Sequence, residues 1–163
     1  MSRGNVVAVC GVKNSGKTTV LEKLVAHLSA CGIRVAVVKH DGHRFEADRP
    51  GTDTFRHLVA GAMGTAVFDG EKFQVVKRTP VEEDDLIALF PEADVLLLEG
   101  FKYSNWPKVE VVRGAVSSAP VCDRDTLLAL VSDLPLEAGV PVLGLEDTEG
   151  LARLILEHCG KGL

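Results

Sequence analysis

A glycine-rich stretch near the amino terminus constrains this chain more than any other feature. Residues 11–19 read Gly-Val-Lys-Asn-Ser-Gly-Lys-Thr-Thr and match the phosphate-binding pattern Gly-x-x-x-x-Gly-Lys-[Ser/Thr] at every fixed position. The apolar residues 6–10 before it predict a buried strand, and residues 18–31 after it predict a helix. Because the pattern belongs between a strand and a helix, this stretch predicts a site for the phosphates of a nucleotide.

The residue types of this loop fit the chemistry of phosphate binding. Gly11 and Gly16 allow backbone conformations that turn successive N–H groups towards an anion, and the positive end of the following helix adds to the attraction. We expect Lys17 to contact the outer phosphates and the Thr18 hydroxyl to coordinate Mg²⁺. An ordinary glycine-rich turn would explain neither Lys17 nor Thr18.

Length, composition and charge favour a single nucleotide-binding domain over residues 1–163. The chain has 163 residues, of which 46% are hydrophobic, and this suits one well-packed domain. Its net charge of −5 gives no reason to expect a nucleic acid partner. No segment has the length or pattern of a membrane span or a signal peptide, which predicts a cytoplasmic protein. The four cysteines are widely spaced, so neither a disulfide framework nor a zinc ribbon is indicated.

The chain after the first helix predicts a parallel strand and then a polar loop. Residues 33–39 are apolar and β-branched enough for a second strand, joined to the first by a right-handed crossover. Residues 40–52 are polar and follow the carboxyl end of that strand, where α/β proteins bind ligands. His40 and His43 lie in this loop, but two imidazoles alone are weak evidence for a metal site.

The middle of the chain predicts a helix followed by a β-hairpin. Thr52 is a suitable N-cap, and Asp53 then lies in the first helical turn, where it either complements the helix dipole or has a function. Residues 63–68 and 72–77 flank Asp69-Gly70, which is a strong hairpin signal. This hairpin interrupts the parallel alternation and offers a sheet edge or a dimer contact.

A second site segment follows at residues 94–100. Four apolar residues predict a central strand, and Glu99 and Gly100 end it. An acidic side chain at this place holds the metal ion of the nucleotide in P-loop proteins, although a carboxylate in an ordinary turn is the alternative. Residues 101–107 carry the only Trp and the only Tyr, which suit either a partner contact or packing.

The remaining elements complete an α/β fold. Residues 108–113, 127–133 and 140–145 predict strands, and residues 148–159 predict a closing helix. The sequence as a whole therefore predicts a three-layer P-loop fold, with a mostly parallel sheet flanked by helices and an inserted β-hairpin.

Several motifs taken in order resemble the molybdopterin-guanine dinucleotide biosynthesis protein B (MobB) family. The phosphate loop alone identifies only a superfamily, whereas the other motifs are more specific, and the resemblance covers nearly the whole chain. These other motifs are Lys39-His40-Asp41-Gly42-His43, the Arg-Pro-Gly-Thr-Asp-Thr-Phe-Arg run at residues 49–56, Ala60-Gly61-Ala62, and Leu98-Glu99-Gly100-Phe101-Lys102.

The resemblance implies a small, usually dimeric, GTP-binding protein with weak Mg²⁺-dependent GTPase activity. Such a protein assists the nucleotidyltransferase that joins GMP to molybdopterin. The implied Mg²⁺ site is Thr18, Asp53 and Glu99, with Asp41 ranked below Asp53, and Lys39 is implied to face the phosphates, so that Lys17, Lys39 and Glu99 would serve the reaction. The implied phosphate-binding residues are Gly11, Lys13, Asn14, Ser15, Gly16, Lys17, Thr18 and Thr19.

The sequence also departs from related patterns in two places. It lacks the Asn-Lys-x-Asp segment that reads guanine in many GTPases, but Asp133 ends a predicted strand, where it can accept bonds from guanine N1 and N2. The deviant form of the superfamily has a second lysine at the position of Val12, so Lys13 is not given the role of reaching across a dimer. The source of any hydrolytic activation stays open.

Two other functions compete with the MobB-like one. His40 and His43 favour a nickel metallochaperone GTPase, although no His-rich tract or Cys-Pro-Cys segment accompanies them. The acidic spacing, which is similar to that of dethiobiotin synthetase, suggests instead an ATP-dependent small-molecule kinase or ligase. Competition between ATP and GTP separates the kinase from the GTPases.

Overall fold

The computed structural model describes residues 3–42 and 45–162, and its residues form two compact units. The larger unit comprises the chain up to His40 and again from Asp84, and the smaller unit is Asp41–Glu83, inserted within it. In chain order the elements are β1 (Val6–Cys10), α1 (Lys17–Ala30), β2 (Val35–Lys39), α2 (Asp53–Val59), β3 (Gly64–Phe68), β4 (Phe73–Lys77), α3 (Glu83–Ile87), β5 (Val95–Glu99), β6 (Lys108–Val112), β7 (Leu127–Ser132), β8 (Val142–Leu143) and α4 (Thr148–His158).

The larger unit is built on a six-stranded parallel sheet in the order β2-β5-β1-β6-β7-β8. Every residue of β1 and β5 is buried, which explains why both strands are apolar runs rather than alternating ones, apart from Glu99 at the end of β5. Helices α1 and α4 cover one face of the sheet, and Ile87 at the end of α3 packs on the other. The predicted three-layer α/β fold is confirmed.

Helix α1 packs on the sheet through one apolar stripe and ends where the sequence predicts. Val20, Leu21, Leu24 and Leu28 are its buried residues, spaced at three- and four-residue steps. Gly32 has φ 78°, and the N–H of Ile33 donates to the carbonyl of Leu28, which forms a Schellman cap. Ile33 belongs to this cap, and strand β2 therefore starts at Val35, two residues later than the apolar pattern predicts.

The smaller unit consists of helix α2 and the β3–β4 hairpin. The Thr52 side chain caps α2 by accepting a hydrogen bond from the N–H of Phe55, as predicted. Strands β3 and β4 pair in antiparallel fashion, with Phe68 opposite Phe73, and the Asp69 carboxylate accepts bonds from the two backbone N–H groups of the turn. The predicted hairpin is therefore confirmed.

The fold differs from the sequence prediction mainly at the edge of the sheet. The apolar residues 140–145 form only the two-residue strand β8, because Pro141 has no N–H to add to a ladder and contributes only its carbonyl, which accepts from Leu130. Within residues 3–42 and 45–162 no helix is long and apolar enough to cross a membrane.

Candidate nucleotide-binding site

The phosphate loop connects β1 to α1 through a series of left-handed backbone conformations. Gly11, Asn14 and Gly16 have φ angles of 139°, 64° and 92°. A Cβ atom at Gly11 would lie 2.4 Å from the carbonyl oxygen of Val111 on the neighbouring strand β6, and 2.8 Å from Ser15 Oγ. Glycine is therefore required at position 11 both by the backbone conformation and by the lack of space.

Ser15 is the clearest sign that this loop is built for a ligand. Its side chain is fully buried, and Oγ has no hydrogen-bond partner in the described part of the chain. Leaving a buried hydroxyl unsatisfied costs about 1–3 kcal/mol, and native proteins seldom retain such a group without a reason. A phosphate oxygen held by the loop fits this donor.

Lys17 lies at the first position of α1, where its ammonium group reaches back over the loop. Its Nζ donates a hydrogen bond of 2.7 Å to the carbonyl of Val12. Burial lowers the pKa of Lys17 below its ordinary value; the nearby Glu99 carboxylate opposes this shift, and the charges of Lys102 and Lys39 reinforce it. The like charges of Lys102 and Lys39 thus disfavour the charged form of Lys17, and a bound anion would relieve this repulsion.

Thr18 and Glu99 bring an alcohol and a carboxylate oxygen together from two elements. The Thr18 hydroxyl donates to Glu99 Oε1 at 2.8 Å, and the Glu99 residue is only 9% exposed. Neighbouring oxygen ligands of an octahedral Mg²⁺ are about 2.9 Å apart, given Mg–O distances of about 2.0–2.1 Å. The two side chains therefore fit the donor set of a nucleotide-bound Mg²⁺.

Lys39 completes this group from the adjacent strand. It ends β2 directly opposite Glu99 in the β2–β5 pairing, and its Nζ lies 3.8 Å from Glu99 Oε1. The Lys39 side chain is 58% exposed, so the pair contributes little to stability but leaves the ammonium accessible to a ligand. The structure thus brings together four of the residues predicted from sequence, namely Lys17, Thr18, Lys39 and Glu99.

Asp133 lies beyond the end of β7, two strands away from β1 on the side opposite β5. Its Oδ1 accepts a hydrogen bond of 2.7 Å from the N–H of Gly114, and this bond fixes the carboxylate beside the segment that follows β6. Two strand spacings amount to about 10 Å. The carboxylate is therefore at the same edge of the sheet as the phosphate loop but displaced from it.

The remaining predicted residues are positioned as follows. Lys13, Asn14 and Thr19 are exposed in or just after the loop. Asp41 and Asp53 belong to the smaller unit; the Asp53 side chain is 86% exposed and lies 3.5 Å from the Arg56 guanidinium, and the metal-binding roles of both stay predictions.

The histidine pair behind the nickel alternative is only half described. The ring of His40 packs against Phe101 with centroids 5.5 Å apart, and His43 lies outside the described residues. No cluster of three or more His, Cys, Asp or Glu side chains suited to a metal occurs in the part of the chain that the structure describes.

Local sequence patterns do not identify the buried polar residues of β6. Lys108 and Glu110 are almost fully buried on β6, where the sequence gives only an ordinary short strand. Lys108 Nζ donates to the carbonyl of Ser104, and the two carboxylate oxygens of Glu110 accept from the N–H groups of Val121 and Cys122. These bonds anchor the loops on either side of β6. The alternation of charged and apolar residues in β6 was the available signal, but it is also the pattern of a solvent-facing edge strand.

Comparison with known proteins agrees with this fold. A family model described as molybdopterin guanine dinucleotide synthesis protein B (MobB) matches residues 6–133. The molybdopterin-guanine dinucleotide biosynthesis adapter protein of Escherichia coli (strain K12) is 35% identical, over 96% of this chain and 94% of its own. The protein of the same name from Haemophilus influenzae is 33% identical, over 92% of this chain and 86% of its own.

Solved structures extend the likeness to three dimensions. The crystal structure of Bacillus subtilis MobB superposes with a TM-score of 0.78 and 31% identity, covering 94% of this chain and 97% of that one. A MobB homologue from Bacillus stearothermophilus gives a TM-score of 0.68 at 29% identity, with coverage of 96% and 98%. This chain therefore belongs to the MobB family of molybdopterin guanine dinucleotide synthesis proteins.

Proposed function

We propose that this protein is a GTP-binding accessory protein of molybdenum cofactor guanylylation, with a weak Mg²⁺-dependent GTPase activity. The observation that carries the nucleotide site is the contact between Thr18 and Glu99 beside a phosphate loop whose buried Ser15 hydroxyl lacks a partner. The pathway is supported by family membership and by relatives named as adapter proteins of molybdopterin-guanine dinucleotide biosynthesis.

In this proposal the chain's own groups bind and neutralise the phosphates. The backbone N–H groups of the loop and the Lys17 ammonium hold the β- and γ-phosphates, and Lys39 balances further negative charge. Thr18 and Glu99 hold Mg²⁺, with Asp53 or Asp41 as further proposed ligands. When bound, Mg²⁺ neutralises charge on the phosphate oxygens. The motifs give no Gln or His the task of orienting the attacking water, so we expect slow turnover without a partner.

Guanine preference is the second part of the proposal. A nucleotide with its phosphates on the loop after β1 can place its base over the carboxyl ends of the neighbouring strands. Asp133 lies about two strand spacings from β1, on the side of β6 and β7. A carboxylate accepts two hydrogen bonds from guanine N1 and N2, whereas adenine offers no matching pair of donors. The bond from Gly114 to Asp133 Oδ1 orients the carboxylate for this role.

Titration of the purified protein with GTP and ATP in the presence of Mg²⁺ tests this function. We expect GTP to bind more tightly, and Lys17→Ala to weaken it about tenfold or more, because a charge-assisted hydrogen bond contributes about 1.5–3 kcal/mol. Glu99→Gln should change the Mg²⁺ dependence of binding or hydrolysis. Turnover of many cycles per second by the isolated protein, unchanged affinity in Lys17→Ala, or preference for ATP would contradict the proposal.

The proposed partners are the molybdenum cofactor nucleotidyltransferase and molybdopterin. A pull-down with the full-length protein, loaded with a non-hydrolysable GTP analogue, should retain the nucleotidyltransferase from cells that make molybdenum enzymes. Lys17→Ala serves as the control, because it carries the same surface but should bind the analogue poorly. Equal capture by both proteins would mean that the interaction does not depend on the bound nucleotide. We further propose a cytoplasmic location. We also propose that the protein has no nucleic acid partner, because its net charge is −5.

We also propose that residues 1–163 form a single nucleotide-binding domain. We propose further that two copies of the chain form a homodimer through the hairpin. Strands β3 and β4 pair only with each other in the described sheets, and an isolated two-stranded ribbon is only marginally stable in water. One face of the ribbon carries Phe68, Phe73 and Val75, which are 82%, 77% and 58% exposed. These three residues, together with Ala66 on the same face, are called the apolar hairpin face below.

A second copy of the chain fits this face better than a polar partner does. Phe68 and Phe73 line a groove of about 450 Å³ on the hairpin, which offers a place for an apolar side chain. Ribbon edges with unpaired N–H and C=O groups also favour pairing with an identical strand about a two-fold axis. The self-complementary use of one apolar patch is typical of C2 dimers.

A further inference from the structure

The segment directly after Glu99 has an unusual backbone conformation next to the phosphate loop. Gly100 has φ 101° and Phe101 has φ 52°, so two left-handed residues follow each other and turn the chain sharply at the end of β5. A positive φ is strained for a bulky residue such as Phe101, and strain of this kind persists only where the surroundings enforce it. The turn fixes the direction in which the next residue, Lys102, leaves the sheet.

Contacts with several elements hold this turn in place. The N–H of Gly100 donates to the carbonyl of Val9 in β1 at 3.0 Å, and the Phe101 ring packs against His40 at the end of β2. The Phe101 carbonyl accepts bonds from both the N–H and the hydroxyl of Ser104. The buried ammonium of Lys108 in turn bonds to the Ser104 carbonyl. Lys102 is thus carried by a rigid turn rather than by a free loop.

Lys102 lies three residues after Glu99, whose carboxylate accepts a hydrogen bond from Thr18 at the end of the phosphate loop. Burial lowers the pKa of Lys17, and the like charges of Lys102 and Lys39 add to this shift; Lys39 is itself paired with Glu99. Lys102 is half-buried, and its Nζ lies 4.8 Å from the centre of the exposed Tyr103 ring. No ion pair among the described residues involves Lys102. A bound anion would relieve the repulsion between Lys102 and Lys17, which Glu99 offsets only in part.

We propose that Lys102 is a third phosphate-binding cation of this site and that it contacts the outermost phosphate, so that the site distinguishes a nucleoside triphosphate from a diphosphate. This inference rests on the proposed GTP binding. The order of the sheet gives the direction: Asp133 marks the base side beyond β6, and the turn that carries Lys102 follows β5, on the opposite side of β1. A nucleotide lying along this edge directs its terminal phosphate towards the β5 side, where Glu99 and Lys102 are.

The Tyr103 ring gives Lys102 a defined position on this side of the site. A cation over an aromatic face is held loosely enough to move towards an arriving anion, since such contacts at exposed sites are weak compared with an ion pair to phosphate. Lys102 therefore supplies a positive charge that is oriented in advance but not neutralised by the protein. Such a charge favours the ligand with the additional negative phosphate.

Binding of a non-hydrolysable GTP analogue and of GDP to the full-length protein and its variants tests this inference. We expect Lys102→Ala to weaken the analogue about tenfold, as the loss of one charge-assisted bond does, and to leave GDP within about twofold. Lys102→Arg should retain most of the difference between the two ligands. Lys23→Ala, which removes the same charge from the surface pair with Glu146, is the matched control and should change neither affinity.

Failure of this inference is distinguishable from failure of the proposed function. If the unmodified protein binds GTP, loses it in Lys17→Ala and keeps it in Lys102→Ala, only the role of Lys102 is overturned. An equal loss of the analogue and GDP in Lys102→Ala, or an equal loss in Lys23→Ala, also overturns it. If the unmodified protein does not bind GTP, the proposed function falls and this inference falls with it. Thermal melting of Lys102→Ala and Lys102→Arg identifies a loss caused by misfolding, and a normal affinity ratio in the folded Lys102→Arg variant supports the inference.

Discussion

Among the described residues, buried polar side chains differ in whether the protein itself supplies their hydrogen-bond partners. Lys108, Glu110 and Ser132 are almost fully buried, and each has a backbone partner that satisfies it. Ser15 is equally buried, but its hydroxyl has no partner among the described residues. Since an unsatisfied buried group lowers stability, Ser15 is explained by binding rather than by folding.

Ser15→Ala should therefore leave the folding stability unchanged or raise it slightly, while weakening nucleotide binding several-fold. Ser132→Ala is the matched control, because it also shortens a buried serine but leaves the N–H of Leu134 without its acceptor, and it should lower the melting temperature. Thermal melting and GTP titration measure both effects. A melting temperature that falls in Ser15→Ala as much as in Ser132→Ala would contradict this assignment.

At the scale of elements, the sequence predicts most of what positions the site. The phosphate loop lies between β1 and α1, Glu99 ends β5, and the hairpin turns at Asp69, all as the local patterns indicate. These features depend on neighbouring residues along the chain, whose periodicity and turn chemistry the sequence displays directly.

Features that depend on residues distant in the sequence cannot be predicted from local patterns. The strained turn at Gly100 and Phe101 is held by contacts with Val9, Ser104 and His40. No local sequence pattern predicts a positive φ at a phenylalanine. The burial of Lys108 depends on the order of the strands, which places β6 between β1 and β7. Tertiary contacts of this kind override local propensity.

The hairpin pairs with no other strand in the described sheets and exposes large apolar side chains. Phe68→Glu in the apolar hairpin face should convert the proposed dimer into a monomer, because a buried charge opposite its own symmetry copy is strongly unfavourable. Light scattering after size-exclusion chromatography measures the mass. Leu89→Glu, at a residue of the larger unit that is 66% exposed, is the matched control and should keep the dimer. A monomeric unmodified protein, or a dimeric Phe68→Glu variant, would overturn the proposed interface.

At the scale of the larger unit, the amino ends of the strands are held together by one carboxylate. Asp94 precedes β5 and accepts bonds from the backbone N–H, Nε and Nη2 of Arg34, which precedes β2. Lys161, after the last helix, donates to Asp94 Oδ1 at 2.8 Å. The carboxylate therefore ties two strands and the carboxyl-terminal segment together at the edge of the sheet away from the phosphate loop.

These bonds make the stability of the protein depend on acid pH in a defined direction. Hydrogen bonds from Arg34 and then from Lys161 hold the pKa of Asp94 well below its ordinary value. A depressed carboxyl pKa contributes stability that is complete above the unfolded value of about 4 and is lost as the pH falls towards the folded value.

Asp94→Asn should accordingly lower the melting temperature at pH 7. The gap in melting temperature between the variant and the unmodified protein should narrow as the pH falls below about 4. Thermal melts between neutral and acid pH measure the gap, with Asp85→Asn, an exposed residue of α3, as a control of equal charge. A gap that stays constant with pH would mean that the carboxylate stabilises the fold by its shape and not by its charge.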